Sequence, residues 1–407
     1  MNEKIKSANH AGGQTRPLDG IRVITLEHAL AAPLCTRHLA DLGAEVIKIE
    51  RHGEGDFARG YDHAVKGTSA YFVWLNRGKK SLVLDIRAEG AREVLHRLVR
   101  SSDVLVQNLA PGAASRAGLD YETLRPVNER LVVADISGYG DGGSFSNKKA
   151  YDMLIQAEAG LISINGTPET PARVGISVAD LATGMYAHNA ILAALLQRGR
   201  TGRGGNVKIA MIDALAEWMH YPMYRYAYSD YMVPRIAMNN PSQAPYGGHA
   251  TKDGTVIFSV QNEREWRAFC EVVLRRPELT LSEKFGTNIL RMANVAELTR
   301  LIEASFADKT SMQVVALLDE AGIANGRLNT AKDLWEHEQL AQRKRWREVG
   351  IPGGEHIRAL LPPAIFDSFE AVMGDVPTLG QHTDEVLSFL EFDADTARQM
   401  RESGVVG

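Results

Sequence analysis

The sequence predicts an α/β protein built on a parallel sheet, followed by a smaller α+β domain. Three observations carry this. Short apolar runs rich in Val, Ile and Leu recur through the first half of the chain, as buried parallel strands require. Stretches with helical spacing separate them, and strands alternating with helices form parallel sheets with right-handed crossovers. After about residue 218 the composition shifts to Tyr, Met, Asn and Pro, and the periodicity weakens.

The elements follow in order. Residues 21–26 (IRVITL) read as a buried strand. A helix over 33–42 closes at Gly43. Residues 45–49 (EVIKI) give the next strand and 81–86 (SLVLDI) the third. Residues 88–100 form an amphipathic helix. Strands at 104–107 and 131–136 continue the run, and 207–211 (VKIAM) repeats it before a helix from Asp213. Residues 220–248 read as a connection containing a loop, including Tyr246, Gly247 and Gly248. A strand at 255–260 and helices near 263–274, 295–306 and 311–322 make the smaller domain. From about Trp335 the chain has a strand-and-turn region and a last helix at 394–403. The expected division is a polar extension at 1–16, a large domain at 17–218, a linker and small domain at 219–334, and a C-terminal segment at 335–407. There is no internal repeat and no low-complexity tract.

The stretch RVGISVADLATGMYAHNAILAALL, residues 173–196, is the most informative for chemistry. Val174, Ile176 and Val178 alternate and predict a short strand. Leu181, Met185, His188, Ile191, Leu192 and Leu195 recur at helical spacing. Asp180 then falls where strand hands over to helix, facing free backbone N–H groups and the positive end of the helix dipole. That place keeps a carboxylate ionised and still, which suits a nucleophile. Asp is also a preferred N-cap, and capping alone is the commoner role at such a position.

Composition narrows the classes. A chain of 407 residues exceeds one ordinary core. It is 44% hydrophobic and 24% charged, as globular proteins are. The net charge of −4, with basic residues dispersed, gives no reason to expect a nucleic acid partner. Two distant cysteines, Cys35 and Cys270, offer neither a disulfide framework nor a zinc pattern and fit a reducing cytoplasm. The polar first residues do not read as a secretory signal, and no apolar run reaches membrane-spanning length. The turn after the first strand, Glu27-His28-Ala29-Leu30-Ala31, lacks the G-x-G-x-x-G of a dinucleotide site. P-loop, nucleophile-elbow and H-E-x-x-H motifs are missing too, so no prosthetic group or metal is expected.

Several blocks in order carry a resemblance. They are PLDGIRVITLEHALAAPLCTRHLADLGAEVIKIER, NRGKKSLVLDIR, VLVQNLAPGAASRAGLDYETL, ISGYGDGG, KKAYDMLIQAEAGL, VGISVADLATGMYA and LGQHTDEVL. Together, over nearly the whole chain from about Pro17, they resemble the family III CoA-transferases, the group of formyl-CoA transferase and carnitine CoA-transferase. The resemblance implies a Rossmann-like large domain completed by the C-terminal segment, a small domain between, and a ring-like homodimer whose chains interlock. It implies acyl-CoA and carboxylic acid as substrates, with coenzyme A arriving as the thioester and no other cofactor.

The same resemblance places the catalytic aspartate on Asp180. It would form a mixed anhydride with the acyl group and then an aspartyl-CoA thioester. Arg51, Arg87, Arg116 and Lys149 fall where CoA phosphates are held, each with a plain surface charge as the other reading. Leu84 and Asn108 fall at adenine positions. His28 is either a CoA contact or a structural histidine, and Tyr151 joins the CoA-binding set. Formyl-CoA transferase carries a glutamine where this chain has Leu30, which implies a different acyl pocket and disfavours oxalate. Tyr246 with Gly247 and Gly248 stands where a glycine flap is expected, with an ordinary turn as the alternative. The blocks look most like members acting on short dicarboxylates, for which Arg59, Tyr61, Tyr224 and Arg225 are further pocket candidates. The alternative activity is racemisation of α-methylacyl-CoA thioesters. It is disfavoured because Tyr151-Asp152 replaces the His-Asp pair of the racemases, although Asp152 could still serve as a base.

Overall fold

A computed structural model describes residues 15–407. All of the expected N-terminal extension except Thr15 and Arg16 therefore lies outside the described residues. The chain divides into two units. The first takes residues 15–160, Val174–Tyr221 and Lys344–Gly407, and the second takes Leu161–Arg173 and Pro222–Arg343.

The first unit is built on six parallel strands: β1 (Arg22–Leu26), β2 (Glu45–Glu50), β3 (Lys79–Val83), β4 (Val104–Gln107), β5 (Val132–Ser137) and β6 (Gly205–Ala210). Their order is β3-β2-β1-β4-β5-β6, so the winding direction reverses between β1 and β4. Both faces are covered, as a parallel sheet demands. Ile24, Ile47, Leu82, Leu105 and Val133 pack on one face with Val94 and Leu98 of helix α3 (Ala91–Arg100). Val23, Val46, Val104 and Val132 pack on the other with Cys35 and Leu39 of helix α1 (Ala31–Asp41) and Ile191 of a later helix. No helix among the described residues is long and apolar enough to cross a membrane.

Three expectations need correction. The third strand lies at Lys79–Val83, not at 81–86. Its last residues are diverted to the tail: Leu84 bridges Val406, and the Asp85 N–H donates to the Val405 carbonyl at 2.9 Å. The short strand at 174–178 does not form. Helix α5 (Val178–Thr201) begins there, and the Val174 N–H donates to the Gln156 side chain at 2.9 Å. A side chain takes the place of a neighbouring strand. Finally, the expected connection at 220–248 holds a helix, His220–Ser229, and its end forms a strand.

In the second unit, β7 (Tyr246–Ala250), β8 (Thr255–Ser259) and β9 (Asn325–Arg327) form an antiparallel sheet. Its core collects Phe258, Trp266, Phe269, Ile302, Phe306 and Leu318. Gly247 and Gly248 lie inside β7, and neither has a left-handed φ. A Cβ on Gly247 would fall 2.4 Å from Asn239 Oδ1, and one on Gly248 would fall 2.8 Å from Met238 Cε. These glycines let residues 238–239 lie against the strand; a flap hinged on left-handed glycines is not what they form.

Candidate active site

The start of α5 is capped by a side chain from another helix. Ser177, at the N-cap, makes no side-chain capping bond. Asp152, the first residue of helix α4 (Asp152–Glu158), takes that role. Its Oδ1 accepts from the N–H groups of Ala179 at 2.8 Å and Asp180 at 3.4 Å. Its Oδ2 accepts from Gln156 Nε2 at 2.8 Å, one turn along α4. Both side chains are buried.

Asp180 therefore stands in the first turn of α5 beside a second carboxylate. Its side chain makes no hydrogen bond or ion pair among the described residues. Burial and then the charge of Asp152 push its carboxyl up to about 7. This corrects the expectation that the helix start keeps it ionised, because Asp152 already occupies the free N–H groups. Close approach of α1 is permitted by Gly184, where a Cβ would fall 2.6 Å from the Ala31 carbonyl oxygen.

Tyr61 lies in the field of Asp180. Burial raises its phenol to about 12, with Asp56, Asp180 and Tyr151 adding to the effect. It stays protonated and can donate. Rings of His28, Phe57, Tyr61 and Tyr71 follow one another at centroid distances of 5.3, 5.7 and 5.8 Å. Tyr61 had been a pocket candidate; the ring series and its link to Asp180 are what the structure adds.

The turn after β1 is fixed from below by buried charge. Glu27 accepts from Lys79 at 2.6 Å, Thr36 at 2.7 Å and Lys48 at 3.3 Å. Lys48 also donates to Asp56 at 2.7 Å, and Asp56 accepts the Ala29 N–H at 3.2 Å. Arg59 grips Glu50 through two bonds of 2.8 and 2.7 Å. That commitment removes Arg59 from the list of free carboxylate binders. Burial pulls Lys79 down to about 8 against the pull of Glu27. Sequence reasoning missed this network. Its signal was there, since EVIKIE and KKSLV put charges inside strand runs.

Asn108, after β4, exchanges two 2.9 Å hydrogen bonds with the backbone of His28, after β1. Two predicted residues thus meet where the sheet's winding reverses, the place where open α/β sheets take ligands. His28 Nδ1 lies 3.9 Å from Asp56. Leu30 is 4% exposed and packs with Leu34, Leu75 and Leu181, so it belongs to the core beside α5 and does not line an open pocket.

The family model of CoA-transferase family III matches residues 18–383. This chain belongs to that family. It is 33% identical over 395 residues to the succinyl-CoA:glutarate CoA-transferase of Mus musculus, covering 96% of this chain and 90% of the relative. It is 34% identical over 342 residues to the acetyl-CoA:oxalate CoA-transferase of Acetobacter aceti, covering 83% and 88%. A solved CAIB/BAIF family protein from Brucella suis superposes with a TM-score of 0.84 at 32% identity, over 93% of this chain and all of the other, 100%.

Within this CoA-transferase, the implied CoA contacts all follow the C-terminal ends of parallel strands. Arg51 follows β2, Leu84 and Arg87 follow β3, Asn108 and Arg116 follow β4, and Lys149 and Tyr151 follow β5. Arg51 is paired with Glu54 at 2.7 Å. The Arg87 side chain is 89% exposed and 3.5 Å from Asp85. Arg116, Lys149 and Tyr151 are exposed. Leu84 is 1% exposed, and its side chain is spent in the core. Tyr246, Gly247 and Gly248 belong to the second unit, as do Tyr224 and Arg225.

Proposed function

We propose that this CoA-transferase exchanges coenzyme A between an acyl-CoA donor and a short dicarboxylic acid through covalent intermediates on Asp180. One observation carries the reading: a carboxylate with no hydrogen-bond or ion-pair partner among the described residues, at the start of a helix in the sheet-based unit whose nearby backbone N–H groups are taken by Asp152. A more basic carboxylate is a better nucleophile, and near neutrality half of it is ionised.

An Asp180 oxygen attacks the donor thioester carbonyl. The C–S bond breaks, CoA leaves as thiolate, and a mixed anhydride remains. The thiolate then attacks the aspartyl carbonyl, releasing the donor acid as carboxylate and leaving an aspartyl-CoA thioester. The acceptor carboxylate attacks that thioester, expelling thiolate and forming the second anhydride. Thiolate attack on its acyl carbonyl gives the new acyl-CoA and restores Asp180. Charge is conserved at each step, and no proton has to move. Tyr61, held protonated and within the electrostatic reach of Asp180, is assigned as a donor to the oxyanions formed.

Arg51, Arg87, Arg116 and Lys149 are assigned to the CoA phosphates. The dicarboxylate assignment draws on the relatives' names and on the sequence blocks. The racemase alternative is disfavoured because Tyr151-Asp152 replaces the His-Asp pair, and Asp152 is already held as a cap by the Ala179 and Asp180 N–H groups and by Gln156. Exchange in an interlocked homodimer, in a reducing cytoplasm, completes the proposal; light scattering should give about twice the 44.6 kDa of one chain.

The test is covalent trapping. Protein mixed with succinyl-CoA, quenched and mapped by mass spectrometry, should carry CoA on the Asp180 peptide, and hydroxylamine should convert that adduct to a hydroxamate. Full turnover with an unmodified Asp180 would overturn the assignment. A parallel acid screen with glutarate, oxalate and monocarboxylates fixes the acceptor.

A further inference from the structure

We propose that Asp152 and Gln156 are positioning residues that keep the Asp180 carboxylate unpaired: Asp152 takes the backbone donors at the start of α5, and Gln156 locks Asp152 and the 174–176 segment in that arrangement. This rests on Asp180 being the nucleophile.

The geometry makes the case. An acid in the first turn of a helix ordinarily relaxes onto the free N–H groups there, which lowers its basicity. Here the Ala179 and Asp180 N–H groups both point to Asp152 Oδ1, at 2.8 and 3.4 Å. Asp180 donates its own amide to a foreign carboxylate, and its side chain is left with a like charge for company. Gln156 is 0% exposed, and its amide is fully used. Its Nε2 donates to Asp152 Oδ2 at 2.8 Å, and its Oε1 accepts the Val174 N–H at 2.9 Å. The same Nε2 lies 3.5 Å from the carbonyls of Val174 and Ile176. One side chain therefore ties the capping carboxylate to the segment that leads into α5.

Most other charged groups near α5 have partners of their own. Of those on α1, Arg37 pairs with Asp41, and His38 meets Arg37 and His188 further along α5. On α4, Glu158 holds Lys148. Helix α6 (Met211–Trp218) carries Asp213 and Glu217, Glu217 lying 3.5 Å from His220. On β5, Asp135 holds Gln107 and Asn206; on β6, Lys208 holds Asp141. Asp56 and Tyr151 join Asp180 in acting on Tyr61. Asp152 is the one charge that acts on Asp180 beside burial.

The test compares the full-length protein with Asp152→Asn, Gln156→Glu and both together. In Asp152→Asn the remaining oxygen still accepts from the two backbone N–H groups, but the new amide faces the Gln156 amide, donor to donor. Adding Gln156→Glu restores an acceptor for that amide and for Val174, and moves the negative charge one side chain away from Asp180. The expected result is that the acid limb of kcat/KM for donor against pH moves down by about one unit in the double variant. The plateau kcat should fall several-fold, while KM for the donor changes less than about twofold. A double variant with wild-type melting behaviour and an unmoved acid limb would overturn the inference.

A second measurement needs no folded variant at position 152. Infrared difference spectra of wild type against Asp180→Asn should show a carboxyl C=O band that titrates near 7. Titration near the ordinary value of about 4 overturns the inference. The two proposals fail separately. If Asp180→Asn still transfers CoA, the nucleophile assignment fails. If it does not, yet Asp180 titrates as an ordinary carboxylate, only the positioning role fails.

Discussion

Beneath β1, β2 and β3 the fold buries three carboxylates, Glu27, Glu50 and Asp56, with three cations, Lys48, Lys79 and Arg59, and bonds them to one another. At the start of α5 it places two carboxylates side by side, Asp152 and Asp180, and bonds a cation to neither. The first cluster is balanced and closed by hydrogen bonds, and its charges hold the turn after β1 in place. The second is unbalanced, and the imbalance falls on one side chain. Buried charge that is matched fixes geometry; buried charge that is unmatched stores reactivity.

The sharpest way to break the contrast is at its reactive end. Asp180→Asn should lower kcat by about a thousandfold or more, with CoA binding retained by calorimetry. An acyl-transfer rate within tenfold of wild type would remove the second cluster's claim. The balanced cluster should respond in stability instead. Glu27→Gln leaves Lys79 facing a neutral amide in a dry site, and urea unfolding should show a loss of about 3–5 kcal/mol. A loss under about 1 kcal/mol would mean that water reaches the network.

Next comes pH, where Asp180 at the start of α5 and His38 on α1 carry opposite signs. Asp180 titrates at about 7 in the folded chain against 3.8 as its ordinary value, so the folded state holds its proton more tightly. Its contribution is present below pH 3.8 and is lost as pH rises through about 7. Asp180→Asn should therefore melt higher than wild type above neutrality. His38 is the reverse. Burial, then Arg37, His188 and Arg77, bring it from 6.5 to about 3, so its contribution is present above 6.5 and is lost as pH falls toward about 3. His38→Gln should flatten the acid side of the melting profile, and an unchanged profile would show that ring to be wet. The smallest effect belongs to Arg87, an exposed side chain paired weakly with Asp85. Arg87→Ala should raise donor KM by about three- to tenfold and leave kcat and melting unchanged; an unaltered KM would take it out of the phosphate set.

The sheet was legible because each strand carries a short cluster of Val, Ile or Leu, even where a charge interrupts it. Residues 104–107 and the helix at 295–306 match the observed bounds. Where the reading slipped, a side chain from elsewhere had replaced a local rule. Alternation at 174–178 looked like a strand, but Gln156 supplies the hydrogen bond that a neighbouring strand would give. Asp180 looked like a cap, but Asp152 arrives from α4 to do the capping. The third strand reads as 81–86, but it starts at Lys79, whose buried ammonium is held by Glu27 from far back in the chain. Such long-range pairings leave no periodic trace in a single sequence.

The far end of the chain has a consequence for how the protein is made. Val405 and Val406 lie among Leu82, Leu84 and Leu95, and the Gly407 N–H donates to the Val83 carbonyl. Helix α3 covers much of that face early, but the cover over Leu82 and Leu84 is completed only when residues 405–406 have been made. At ordinary synthesis speeds the wait is on the order of tens of seconds. Through that interval the apolar surface of Leu82 and Leu84 that Val405 and Val406 later cover stays open to water.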